Sequence, residues 1–150
     1  GFKATIYLIP NQKINHWEEK NTSVLSNLLK EEQILVMQDS GLIEFGSHTL
    51  SHVNLSTIND ETLCIELRKS KEEVEKITKK ELESFAYPYG KFDERIVKAV
   101  KEAGYKNATV VKRGLFSQGD DIFTIKRIGI LGTESFFDFF LKITRIRNKL

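Results

Sequence analysis

The sequence predicts an α/β protein built on a parallel sheet or barrel, and three observations carry that reading. Five short runs rich in β-branched and aromatic residues alternate with stretches whose apolar residues recur at helical spacing, which is the pattern of βαβ units. Pro10, Gly46 and Pro88 end the first three runs, where a strand has to stop. The chain has 150 residues, 40% hydrophobic and 29% charged, which suits one folded domain and excludes intrinsic disorder.

Taken in order, Thr5 to Ile9 is a buried strand stopped by Pro10. Residues 11 to 23 are polar and broken, with Trp17 as their one large anchor, and read as a loop on a functional face. An amphipathic helix, or a pair of short ones, is expected over Thr22 to Asp39. Val24, Leu25, Leu28, Leu29, Ile34, Leu35 and Met37 lie at helical spacing there, and Gly41 supplies the stop. Leu42, Ile43 and Phe45 form the second strand, ended by Gly46-Ser47. Asn59 or Asp60 caps a long helix to about Lys80, with Leu63, Leu67, Val74 and Ile77 on one stripe. Ser84 to Tyr87 is the third strand. Asp93 caps a helix through Ala103 that Gly104 closes. Lys106 to Val111 and Thr124 to Ile130 are the remaining strands, and a last helix runs from about Glu134 to Arg147.

Composition narrows the function. With 23 Lys+Arg against 21 Asp+Glu the net charge is +2, too balanced for a nucleic-acid or membrane-surface binder. Lys142, Arg145, Arg147 and Lys149 interleave with Phe140, Ile143 and Ile146, the ordinary solvent face of an amphipathic helix. No apolar run approaches the roughly 18 residues of a membrane span. Cys64 stands alone, so neither an intrachain disulfide nor a multi-cysteine zinc site is available.

In α/β folds the chemistry sits on the loops that follow strand carboxyl ends. The loop after the second strand reads Gly46-Ser47-His48-Thr49-Leu50-Ser51-His52. If it turns into a helix, His48 and His52 stack one turn apart and can share a divalent ion. The alternative is a pair of surface or cap-region histidines. Thr49 stands where a zinc protease has its base glutamate, which disfavours a protease. The loop after the third strand reads Phe85-Ala86-Tyr87-Pro88-Tyr89-Gly90. Pro88 and Gly90 fix a tight bend that aims the Tyr89 N–H, as a developing oxyanion requires, and an aromatic ring beside it suits the apolar face of a sugar. The alternative is a strand-ending turn with core aromatics.

Together, GLIEFGSHTLSHVNL and ESFAYPYGKFDERIVKAVKEAGYKNATV resemble the polysaccharide deacetylase family with the NodB-homology domain, carbohydrate esterase family four. GFKATIYLIP looks like that family's second strand, and TIKRIGILGTESFFDFF resembles the closing strand and helix of its biofilm-polysaccharide-deacetylase-like branch. The resemblance implies that residues 1–150 are part of one such domain, a distorted, incomplete (β/α) barrel. It implies a divalent-metal-dependent hydrolase that removes N-acetyl groups from an N-acetylglucosamine-containing polysaccharide at the cell envelope or outside the cell. His48 and His52 match the metal-binding histidines. Tyr89 matches the residue whose backbone N–H binds the acetyl oxygen, and Phe85, Tyr87 and Pro88 match the loop that shapes the substrate site. Zinc is the foremost metal, with cobalt, nickel and manganese also compatible with such ligands.

The chain departs from the family pattern in three ways. The T-F-D-D-G motif, which supplies the base aspartate and a third, aspartate ligand, precedes the G-F-K-A-T strand. The sequence is therefore expected to be a family member without its opening strand. The third motif's arginine is absent, with Ala86 or Tyr87 in its place; Arg127 is a candidate to replace it, or a structural arginine. No histidine follows His52 to act as general acid, and His16 is the remaining one. The expected consequences are an inactive fragment and an exposed sheet edge open to self-association. The competing reading is a non-catalytic glycan-binding or assembly module derived from the same fold.

Overall fold

The computed structural model describes residues 1–15 and 26–144. The expectations for His16, for Trp17 and for the start of the first helix lie outside them. Five strands form one sheet in the order β1-β2-β3-β4-β5: Ala4–Leu8, Ile43–Ser47, Ser84–Ala86, Asn107–Arg113 and Ile125–Arg127. All four pairings are parallel. Strands paired in chain order in one direction are the geometry of a (β/α) barrel, here left open between β1 and β5.

The helices are α1 Glu31–Asp39, α2 Asp60–Thr78, α3 Glu94–Glu102 and α4 Phe136–Ile143. Helix α1 begins at Glu31, and residues 26–30 ahead of it are not helical. Asn27 instead bridges Ile14 in antiparallel fashion, and the Lys30 N–H donates to Gln33 Oε1 (2.9 Å) as the helix starts. Asn59 caps α2 by accepting the Thr62 N–H, and Asp93 caps α3 by accepting the Ile96 N–H. These caps satisfy amides that a helix leaves open at its first turn.

The core lies between the sheet and α2 and α3. Leu55, Leu67, Val74, Phe85, Tyr87, Ile96, Val100 and Ala108 are fully buried. Residues 63, 67, 70 and 74 of α2 point inward at helical spacing. Helix α4 buries none of its residues, and Phe136 and Phe137 are exposed. A buried hydroxyl chain ties β2 to α2: Ser47 Oγ lies 2.6 Å from Ser70 Oγ, which lies 3.1 Å from the Tyr105 hydroxyl. Ser47 is thereby held from both sides, and it is the residue just before His48.

Candidate active site

Strand β2 lies between β1 and β3, with Ser47 paired to Leu8 on one side and to Phe85 on the other. The pairing continues one residue further, because the His48 N–H donates to Leu8 O at 2.9 Å. The His48 ring turns toward β3, and its Nδ1 lies 2.6 Å from Ala86 O. A carbonyl only accepts, so Nδ1 carries the proton and Nε2 keeps its lone pair.

The step from His48 to His52 is a loop and not the expected helical turn. Thr49 and His52 both adopt left-handed backbone, with φ of 67° and 58°. For a β-branched residue such as Thr49 that conformation costs about 1–3 kcal/mol and persists only where its surroundings hold it. Several contacts hold it. Thr49 is buried, and its Oγ1 accepts the His52 N–H at 2.9 Å. Glu66 Oε2, on α2, accepts the N–H groups of Leu50 (2.9 Å) and Ser51 (3.0 Å). Leu50 O accepts the Asn11 N–H at 3.1 Å. The result brings the two imidazoles together, with centroids 4.7 Å apart and planes at 64°.

The bend after β3 closes the site from the other side. Tyr89 has φ 59° and Gly90 φ 64°. A Cβ on Gly90 would stand 2.5 Å from Val111 Cβ, so both conformation and space demand glycine here. The Tyr87 N–H donates to Thr109 O, the Gly90 N–H to Tyr87 O and the Lys91 N–H to Pro88 O. That leaves the Tyr89 N–H as the amide of this bend that no acceptor among the described residues takes. The Tyr89 ring is 55% exposed and lies 4.8 Å from the His52 ring, centroid to centroid.

Phe85, Tyr87 and Pro88 were expected to shape the substrate site, but their side chains are sealed in the core. Phe85 packs on Tyr105 and Tyr87, and the Tyr87 hydroxyl donates to Phe123 O. They hold the bend from beneath, and the exposed ring at the surface is Tyr89.

The electrostatics favour neutral rings. Burial pushes His48 down to about 4, against the opposing pull of Ala86 O, and the charges of His52 and Arg127 lower it further. Burial also holds His52 below the usual histidine range. Arg127 itself is tied to β4, its Nε donating to Val110 O at 3.1 Å. Neutral imidazoles are the form that binds metal. Two neutral imidazoles are donors of the type that a borderline cation such as zinc takes. Among the described residues, no group of three or more His, Cys, Asp or Glu side chains gathers to complete such a sphere. Three of the aspartates serve elsewhere: Asp60 pairs with Arg95, Asp120 with Lys126, and Asp93 caps α3.

Sequence reasoning overlooked Glu66. The signal was present, since a glutamate sits beside Leu63, Leu67, Ser70 and Val74 on the inward stripe of α2. A carboxylate on such a stripe needs a partner, and the loop amides are that partner.

Comparison with known proteins agrees with this geometry. The family model described as "Polysaccharide deacetylase" matches residues 1–108. The poly-beta-1,6-N-acetyl-D-glucosamine N-deacetylase of Staphylococcus aureus (strain MRSA252) is 30% identical over 121 residues, covering 75% of this chain and 41% of that protein. The crystal structure of a polysaccharide deacetylase from Bacillus cereus superposes with a TM-score of 0.79 at 32% identity, covering 95% of this chain and 42% of that one. A Streptococcus pyogenes deacetylase solved in complex with acetate shares the fold at a TM-score of 0.78 and 21% identity, covering 99% of this chain and 59% of that one. The chain thus spans about two fifths of the length of the first two relatives. With its histidine loop and its Pro-Tyr-Gly bend meeting at one end of the open sheet, the chain belongs to the polysaccharide deacetylase family.

Proposed function

We propose that residues 1–150 are part of a domain that removes N-acetyl groups from an N-acetylglucosamine-containing polysaccharide at the cell envelope or outside the cell. A divalent ion, zinc foremost, would be held in part by His48 and His52. The observation that carries this reading is the meeting of two neutral imidazoles with the Tyr89 ring, on the bend that holds the uncommitted Tyr89 N–H. The named activity of the Staphylococcus aureus relative supports the substrate class.

When bound, such an ion polarises the acetyl carbonyl and lowers the pKa of water. The chain's own residues do the rest. Ala86 O orients His48 so that Nε2 remains a donor of electrons. The Tyr89 N–H donates to the acetyl oxygen as charge develops there. The exposed Tyr89 ring takes the apolar face of a sugar. Arg127, anchored on Val110 O, keeps a positive charge near the pair and opposes protonation of His48.

Residues 1–150 alone are inactive on this reading. No carboxylate joins the pair among the described residues, so proton transfer, worth about 10²–10⁴-fold, has no agent there. The open edge of β1 is the surface for self-association. Beside it runs a groove of about 790 Å³ lined by Ile6, Leu8, Leu28, Leu29 and Ile34 among others.

The test is calorimetric titration with Zn²⁺ near pH 7.5, together with an assay on an N-acetylglucosamine oligomer. The expected result is zinc binding that His48→Ala abolishes, and no turnover. Failure of the unaltered chain to bind zinc would favour a non-catalytic glycan-binding or assembly module. Turnover by residues 1–150 would overturn the inactivity.

A further inference from the structure

We propose that Glu66 is a positioning residue for His52, acting through the backbone of the loop that carries it; this rests on the metal-site reading above. His48 needs no such help, because its N–H is tied to Leu8 O and its ring to Ala86 O. The place of the His52 ring is decided by the torsions of residues 49 to 52, two of which are left-handed. The Thr49 Oγ1 contact with the His52 N–H lies inside the loop and moves with it. Position must therefore be imposed from outside.

Two elements reach in from outside. Asn11 comes from a loop, donating its N–H to Leu50 O at 3.1 Å and its side-chain amide to Ser51 Oγ at 3.4 Å. Glu66 comes from the long helix α2, whose neighbouring Leu63 and Leu67 are buried in the core. A single oxygen of Glu66 gathers two consecutive N–H groups, those of Leu50 and Ser51. Successive amides converging on one anionic atom form a concave nest, which specifies the peptide between them. Among the described residues Glu66 makes no ion pair, so these amides are what offsets its burial. The carboxylate thereby transmits the rigidity of α2 to the loop, and the loop presents His52 to His48 and Tyr89.

Because one oxygen accepts both bonds, a glutamine carbonyl can replace it, whereas alanine cannot. The experiment compares Glu66→Gln, Glu66→Ala and Val74→Ala. The last removes core contacts on the same stripe of α2 without touching the loop. Two quantities are read: the nuclear Overhauser contact between the His52 and Tyr89 rings in metal-free protein, and Co²⁺ affinity by visible absorption. Glu66→Ala is expected to lose the ring contact and to weaken Co²⁺ by about 10–100-fold, the range for lost outer-shell support. Glu66→Gln should keep both, and Val74→Ala should lower thermal stability while keeping both. Should Glu66→Ala fail to fold, Glu66→Gln decides: a folded variant without the ring contact overturns the proposal. So does a Glu66→Ala protein that retains the contact and the affinity. If the unaltered chain binds no Co²⁺, the metal-site reading falls by itself, and the ring contact alone then decides the role of Glu66.

Discussion

The imidazole of His48 meets that of His52 edge-on, at 4.7 Å between centroids, although neither residue lies on a helix. Two cationic rings at that distance would repel, so the arrangement belongs to the neutral forms. Burial supplies the neutrality, and the Ala86 carbonyl selects which nitrogen of His48 carries the proton.

That relationship predicts acid sensitivity. His48 titrates at its ordinary 6.5 when unfolded and at about 4 when folded, so between these values the unfolded chain binds the extra proton. A depressed pKa contributes stability above pH 6.5, and that stability falls as pH drops toward 4. At about 1.4 kcal/mol per pH unit the full loss is at most about 3.5 kcal/mol. Urea unfolding from pH 4 to 7.5 should show this slope, and His48→Gln should flatten it. A variant whose slope equals that of the unaltered chain would show that the acid-sensitive group lies elsewhere.

The bend that presents the Tyr89 amide predicts a large effect from one methyl group. Gly90→Ala places a side chain in left-handed backbone, at about 1–2 kcal/mol. It also drives that side chain against Val111, whose Cβ would be 2.5 Å away and whose backbone N would be 3.0 Å away. Overpacking of this kind adds about 1–3 kcal/mol. The sum, about 2–5 kcal/mol, should appear as a lower urea midpoint with an unchanged m-value. A midpoint equal to that of the unaltered chain would mean the bend relaxes freely and does not aim the amide.

How much of this was legible in the sequence depends on whether the cause was local. The parallel α/β sheet followed from alternation and punctuation, and the caps of α2 (Asn59, from the pair Asn59 or Asp60) and α3 (Asp93) were readable because a cap is defined by its own next three residues. The histidine pair was readable as a pair, but the path between its members was not. The sequence pattern suggested a helical turn, whereas the left-handed Thr49 depends on Glu66 and Asn11, which are distant along the chain. The burial of the Phe85 and Tyr87 side chains was not legible either, because motif membership does not say which way a side chain points, and β3 is buried on both faces. At the far end, β5 is shorter than the expected Thr124–Ile130 because only Ile125–Arg127 find partners on β4.

The open edge of β1 yields a prediction about assembly. The Ala4 N–H donates to Leu42 O, and Leu8 O accepts the His48 N–H, so the even-numbered residues of β1 face β2. The backbone groups of Thr5 and Tyr7 then face the edge that no strand among the described residues pairs, beside the apolar groove. An edge of this kind is a template for another strand. Thr5→Pro removes one outward N–H and leaves the β1–β2 bonds intact, as proline permits on an edge strand. Sedimentation velocity over a concentration series should show association for the unaltered chain and a monomer for Thr5→Pro at every concentration. If both associate alike, the contact lies elsewhere. The exposed Phe136 and Phe137 of α4 are then the surface to alter next, and Phe137→Ser would be compared in the same series.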